Sequence, residues 1–176
     1  MLSEPMTLYK LMILYMLRQV KFPLKGSQLS EFFLGKEYTT YFTLQQALDE
    51  LQEAHLISAE VLRTASHYEI TREGEETLGY FGSSISSAIR EDIDAYLKEN
   101  KLRLRNEVSV IADYYKSSHS DIIVRCEVRE GKSTLISLNI SVPTEQHAEV
   151  ICENWQRDNQ KLYAYLMQEL MKGKNE

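Results

Sequence analysis
Apolar positions recur at helical spacing through the first hundred residues and again at the end of the chain, and alternate strictly in a stretch between. Thr7 to Val20 predicts a first helix, capped by Thr7 or starting just after Pro5. Its apolar face of Leu8, Leu11, Met12, Tyr15 and Met16 is wider than one packing partner requires. A domain core would use that face, and so would a subunit interface. Phe22-Pro23 breaks the helix, because proline cannot continue it and restricts the residue before it. Ser27 caps a short second helix, Gln28 to Leu34, with Leu29, Phe32 and Phe33 inward, and Gly35 suits the left-handed position that often ends a helix. Thr39 to Leu56, TTYFTLQQALDELQEAHL, follows. Thr39 and Thr40 are good N-cap residues, and Tyr41, Leu44, Leu48 and Leu51 form one apolar stripe, although the pattern leaves Tyr41 either in the core or at the surface. Thr43, Gln46, Glu50 and Glu53 face away from the stripe, with Gln45 and Asp49 on its flank. The first turns thus present hydroxyls and amides, and the later ones acids.

Beyond Leu56 the period changes. Ile57–Arg63 and His67–Ile70 are short alternating runs separated by Thr64, Ala65 and Ser66, which predicts a hairpin. Thr71 then caps a fourth helix with Leu78 and Phe81 as core positions. Ser83 and Ser84 precede a helix from about 85 to 99, whose stripe is Ile85, Ile89, Ile93, Tyr96 and Leu97. Residues 102–116, 121–129 and 134–142 read as three strands of an antiparallel meander with one apolar face each. Thr144 caps a final helix, about 40 Å long if continuous, whose buried face comprises Ala148, Ile151, Cys152, Trp155, Leu162, Tyr163, Leu166 and Leu170. The expected fold is α+β. Residues 1–82 form three helices plus a hairpin, and residues 83–176 form a helix and a three-stranded antiparallel sheet covered by a long C-terminal helix.

Two helices in close succession, the second offering polar groups from its first turns, follow the helix-turn-helix plan. The subsequent residues Leu48, Leu51, Leu56 and Ile57, then Tyr68, Ile70, Thr71, Gly74 and Leu78, resemble the winged-helix regulators of bacteria in order and spacing. In those families a motif similar to L..L...GLI ends the recognition helix, and one similar to Y.LT..G...L closes the wing. Here His55 stands where the family places glycine. The whole chain is also similar to a bacterial winged-helix family carried as a domain of unknown function. The resemblance implies double-stranded DNA as partner, with Thr39, Thr40, Tyr41, Thr43, Gln45 and Gln46 turned to a major groove. It sets Arg63, Ser66 and His67 on or beside the wing, near phosphates or a minor groove, and Lys25 and Lys36 where they position the backbone. Each of these is otherwise an ordinary solvated side chain. The helix at 85–99 would carry dimerisation, or would pack on the chain's own second domain.

Charge pulls the other way. The net charge is −6, and residues 1–82 hold seven Lys+Arg against eleven Asp+Glu. A DNA-binding domain usually carries a basic footprint. The same scaffold without nucleic acid, as a protein-interaction adaptor, is therefore the rival expectation, with Asp49, Glu50 and Glu53 as its motive.

Enzyme chemistry finds no support in the residues. Seven scattered glycines encode no phosphate cradle, and the histidines at 55, 67, 119 and 147 lie far apart in sequence. His147 and Cys152 do not share a helix face, so no catalytic residue, metal site or cofactor is expected. Cys126 and Cys152 read as buried thiols, since no export signal opens the chain. The longest apolar run, Leu11 to Leu17, is too short for a membrane span. The expected protein is a cytoplasmic, homodimeric regulator without a membrane partner, its small-molecule effector, if any, unknown.

Overall fold
Seven consecutive buried residues, Leu11 to Leu17, make α1 (Glu4–Gln19) the central helix of the first half of the chain. The computed structural model describes residues 4–62 and 65–173, and is α+β: six helices and two three-stranded antiparallel sheets, divided into units of residues 1–108 and 109–176. α1 is enclosed by α3 (Tyr41–Glu53), by α4 (Arg72–Phe81) and by β3 (Ala65–Ile70). Its broad apolar face is thus consumed within one unit, and no second subunit is required to cover it.

The remaining elements of this unit are β1 (Leu24–Lys25), α2 (Gly26–Gly35), β2 (Ile57–Leu62) and α5 (Ser87–Ser109), with a 3-10 turn at Gly82–Ser84 before α5. The hairpin pairs Ile57 with Ile70 through Leu62 with Ala65, and its turn at 63–64 lies outside the described residues. The two-residue strand β1 joins its other side, giving the order β1-β3-β2. Such a strand is too short to leave an alternating pattern. The N-cap of α2 is Lys25, not Ser27: the Lys25 amide donates to Gln28 Oε1 at 2.9 Å, which satisfies the helix start from inside the first turn.

Both α2 and α3 end in a left-handed residue that is not glycine. Glu37, with φ 57°, takes this role after α2 in place of the expected Gly35, and His55, with φ 60°, takes it after α3. Tyr38 N–H bonds to Phe33 O and Leu56 N–H to Leu51 O, both at 2.9 Å, the reach-back that closes orphan carbonyls at a helix end. α4 then locks onto the second of these ends. Thr71 Oγ1 donates to His55 O at 2.7 Å, Thr71 N–H donates to Leu56 O at 3.1 Å, and Gly74 N–H donates to Thr71 Oγ1 at 3.1 Å. A Cβ on Gly74 would lie 2.0 Å from Leu56 O, so only glycine permits this approach.

α5 departs from expectation in length and in allegiance. It continues through residues 102–109, expected as strand, because Leu104 and Val108 extend the stripe of Ile93 and Leu97 at helical spacing. All four lie in the same core as α1 and α2. Polar ties reinforce this: Tyr15 Oη donates to Asp94 at 2.9 Å, Tyr38 Oη to Asp92 at 2.5 Å, and Arg103 to Glu31 at 2.7 Å. Burial and then the Asp92 carboxylate push the Tyr38 phenol up to about 12. α5 therefore belongs to the first of the two compact units, which runs to residue 108.

The second unit is a meander, β4 (Val110–Lys116), β5 (Ile122–Glu130) and β6 (Ser133–Val142), in the order β4-β5-β6, with α6 (Glu145–Leu170) on one face. Val124, Cys126, Ala148, Cys152 and Trp155 form its core, and Trp155 Nε1 donates to Glu127 O at 3.2 Å. Both cysteines are buried and neither is in a disulfide, and burial pushes the Cys126 thiol up to about 11. On the opposite face Glu127 is 6% exposed and clasped by Arg125 at 2.6 Å and Arg129 at 2.9 Å. The buried helix face ends sooner than its sequence pattern implies: Leu162 is 40% exposed and Leu170 is 78% exposed.

Gly74→Ala is expected to lose about 3 kcal/mol or more, because backbone must move to admit the methyl group. His55→Gly should instead gain roughly 0.5–1 kcal/mol by relieving the left-handed backbone. Denaturant unfolding of the two variants checks the opposite signs. Burial alone would raise the Glu127 carboxyl, yet Arg125 and Arg129 hold it below its ordinary value. Its contribution is therefore present above the unfolded value of 4.5 and lost as pH falls through the lower folded one. Glu127→Gln should cost about 2 kcal/mol at pH 7, with the gap to wild type closing under acid, measured by thermal unfolding across pH 3–7.

Candidate nucleic-acid interface
The Thr39–Gln46 segment meets the body of its unit through one side only. Leu44, Ala47 and Leu48 are fully buried and Leu51 is 1% exposed, whereas Phe42 is 84% exposed and Tyr41 54%. Helical spacing explains the split, since 44, 47, 48 and 51 share a face that 42, 46, 49 and 53 oppose. Tyr41 is thereby a surface residue, not core. Its ring meets Phe42 edge-on with centroids 6.0 Å apart.

Thr40 is the N-cap, and its Oγ1 accepts from Thr43 N–H at 3.4 Å while donating to Thr43 Oγ1 at 3.0 Å. Thr40 and Thr43 are accordingly occupied with the helix start itself. Gln46 is exposed but donates to Glu50 Oε1 at 2.9 Å. Glu50 turns inward to an ion pair with Lys10 of α1, and the bonds from Lys10 and then Gln46 hold its carboxyl below the ordinary value. One of the acids that weighed against DNA is thus neutralised by the body of the protein. Glu31, paired with Arg103, is a second. Asp49 and Glu53 stay exposed on the later turns.

A depression of about 310 Å³ forms where α2, α3 and β3 converge, lined by Ser27, Ser30, Tyr41, Gln45, Ser66 and Tyr68 among others. It brings together three expected residues, Tyr41, Gln45 and Ser66. Lys25 lies next to it in the chain, half-buried, close enough to Glu107 to help lower that carboxyl, for which the Gln28 hydrogen bond is the main cause. Lys36, exposed, caps the end of α2, and Thr39 is half-buried just beyond it. His67 is corrected: it is 7% exposed on β3, flanked by Lys25 on β1 and Glu60 on β2, and is not presented to a phosphate. Arg63 lies outside the described residues.

Phe42, Ser27, Ser30 and Tyr68 were not anticipated. Phe42 was legible, since an aromatic opposite the Leu44–Leu48 stripe has no core to enter. The serines were not, because only tertiary convergence sets α2 beside the hairpin. Among the described residues no group of three His, Cys, Asp or Glu could hold a metal ion, and no helix is long and apolar enough to cross a membrane.

The chain belongs to the DUF4364 family. That family's model, a domain of unknown function, matches residues 9–170 and so spans both units. Neither a curated protein nor a solved structure matches the chain.

Thr40→Ala removes the cap of α3 without touching the core. It should lower stability by about 1 kcal/mol, read as a drop of a few degrees in Tm by calorimetry.

Proposed function
We propose that this protein is a winged-helix DNA-binding regulator that acts as a dimer, with α3 as recognition helix and the β2–β3 hairpin as wing. The observation that carries the reading is the exposure of Phe42, Tyr41 and Gln46 on the first turns of a helix whose opposite side is sealed. Tyr41 and Phe42 adjoin, so the far side of this helix carries a small exposed aromatic patch and not a lone apolar side chain. In a major groove Phe42 would meet thymine methyls, and Gln45 and Gln46 would read adenine by paired hydrogen bonds. Lys36 and the serine-lined depression beside Lys25 would hold phosphates. The pairs Lys10–Glu50 and Arg103–Glu31 offset two carboxylates locally but use two bases to do so, and the net acidic balance stands.

A second reading takes the same scaffold as a protein-interaction adaptor. The adjoining aromatics Tyr41 and Phe42, with Asp49 two turns on and Glu53 three, also suit a partner groove that is apolar at its centre and basic at its rim.

Binding selection from random duplexes at low salt separates the two, because phosphate attraction is then strongest. A sequence-preferring complex is expected. Gln45→Ala or Gln46→Ala should weaken it about tenfold and relax one base position, and Lys36→Ala should weaken all sequences alike. Absence of any preferred duplex, together with a stoichiometric protein partner lost on Phe42→Ala, would transfer the assignment to the adaptor.

A further inference from the structure
α6 lies mainly over β4 and β5 and reaches β6 least. The uncovered strip beside β6 is a groove of about 400 Å³ whose walls include Leu138, Ile140, Trp155, Leu162, Tyr165 and Leu166, with no charged residue among its lining. Its rim is built of the lining residues that stay open to solvent: Ile140 at 39%, Leu162 at 40% and Tyr165 at 59%. These side chains leave a contiguous apolar strip open to solvent, the kind of surface that marks a contact site. A stable dimer covers about 800 Å² per subunit, so the groove alone does not make an interface and needs the strand edge beside it.

The strand beside the groove supplies the rest. The two edges of this sheet differ: β4 carries Asp113 and Lys116, while β6, Ser133 to Val142, carries no charge and no proline over 10 residues. A long uncharged edge is a template for another strand, and proteins ordinarily block it with lysine, proline or a covering element. No covering element is found among the described residues of this unit.

We infer that a second copy of this chain closes the groove, its β6 pairing antiparallel with β6 across a twofold axis and the C-terminal halves of both α6 helices covering the joined apolar strip. This rests on the reading of the protein as a dimer and names the surface that makes it one. Antiparallel pairing of one strand with itself is self-complementary, as a twofold interface demands. Leu138 and Ile140 are two residues apart, so a register that aligns even positions keeps both on the helix-bearing face in both copies. The result is one six-stranded sheet with α6 and its mate on the same side.

Sedimentation velocity of the full chain from about 1 to 200 µM tests it, with Ile140→Lys and Leu162→Glu as variants. Both positions are already part-exposed, so each variant should keep its circular dichroism while dimerisation weakens about 100-fold or more. In the wild type, amide exchange along β6 should quicken on dilution. A wild type that stays monomeric throughout overturns the inference; saturable uptake of an apolar dye by that monomer would reassign the groove to a small ligand. A dimer that persists in both folded variants also overturns it, yet leaves the dimeric regulator standing on another surface. Monomeric variants beside a wild-type dimer that selects no DNA would uphold this interface and defeat the regulator instead.

Discussion
The close approach of α4 to the end of α3 is the contact on which the candidate interface depends. Leu56 O receives Thr71 N–H and sits where a Cβ of Gly74 would stand, while His55 O receives the Thr71 hydroxyl. Because β2 starts at Ile57, immediately after this knot, the same few atoms set the end of α3, the start of the hairpin and the position of α4. The left-handed turn at His55 is held by this arrangement despite its steric cost, as strained backbone persists where its surroundings over-determine it. A motif that reads in sequence as a spacing of Thr and Gly is thus a close-packed joint between backbones.

From that joint α3 runs back across the centre of its unit, sealed by Leu44, Leu48 and Leu51 against α1. Its outward side is then a matter of helical phase, not of further contacts. The polar residues there are not equally free. Thr40 and Thr43 serve the helix start and Gln46 bonds along the helix, so Gln45 and the aromatic pair are the groups least committed to the protein itself. Recognition of DNA by Gln46 would have to exchange its bond with Glu50 for one with a base, a near-even trade unless the base offers two.

The second unit shows the same economy on a smaller scale. Trp155 anchors α6 to β5 through its indole N–H, and beyond Asn159 the helix continues its apolar stripe without enough sheet beneath it. The stripe therefore serves two ends of one helix differently: the first half is core, the second is surface. An amphipathic pattern specifies which side of a helix is apolar and says nothing of how much of that side the rest of the protein can cover.

Much of the architecture was legible in the sequence. The α+β order, α3 with its Thr40 cap, the hairpin, the three strands and the long last helix all follow from local rules of period and capping. What lay beyond reading depended on partners distant in the chain. Residues 102–109 alternate well enough to pass for a strand until Leu104 and Val108 find the core of α1 and α2; Lys10 reaches Glu50 only once α1 and α3 are packed; His67 is buried on the central strand of its sheet, between β1 and β2. Period and capping act between neighbours a few residues apart, so a sequence states them outright. Burial and ion pairing are properties of surfaces that exist only after the chain has closed on itself, and so the extent of the candidate interface and the uncovered groove beside β6 were left to the tertiary structure.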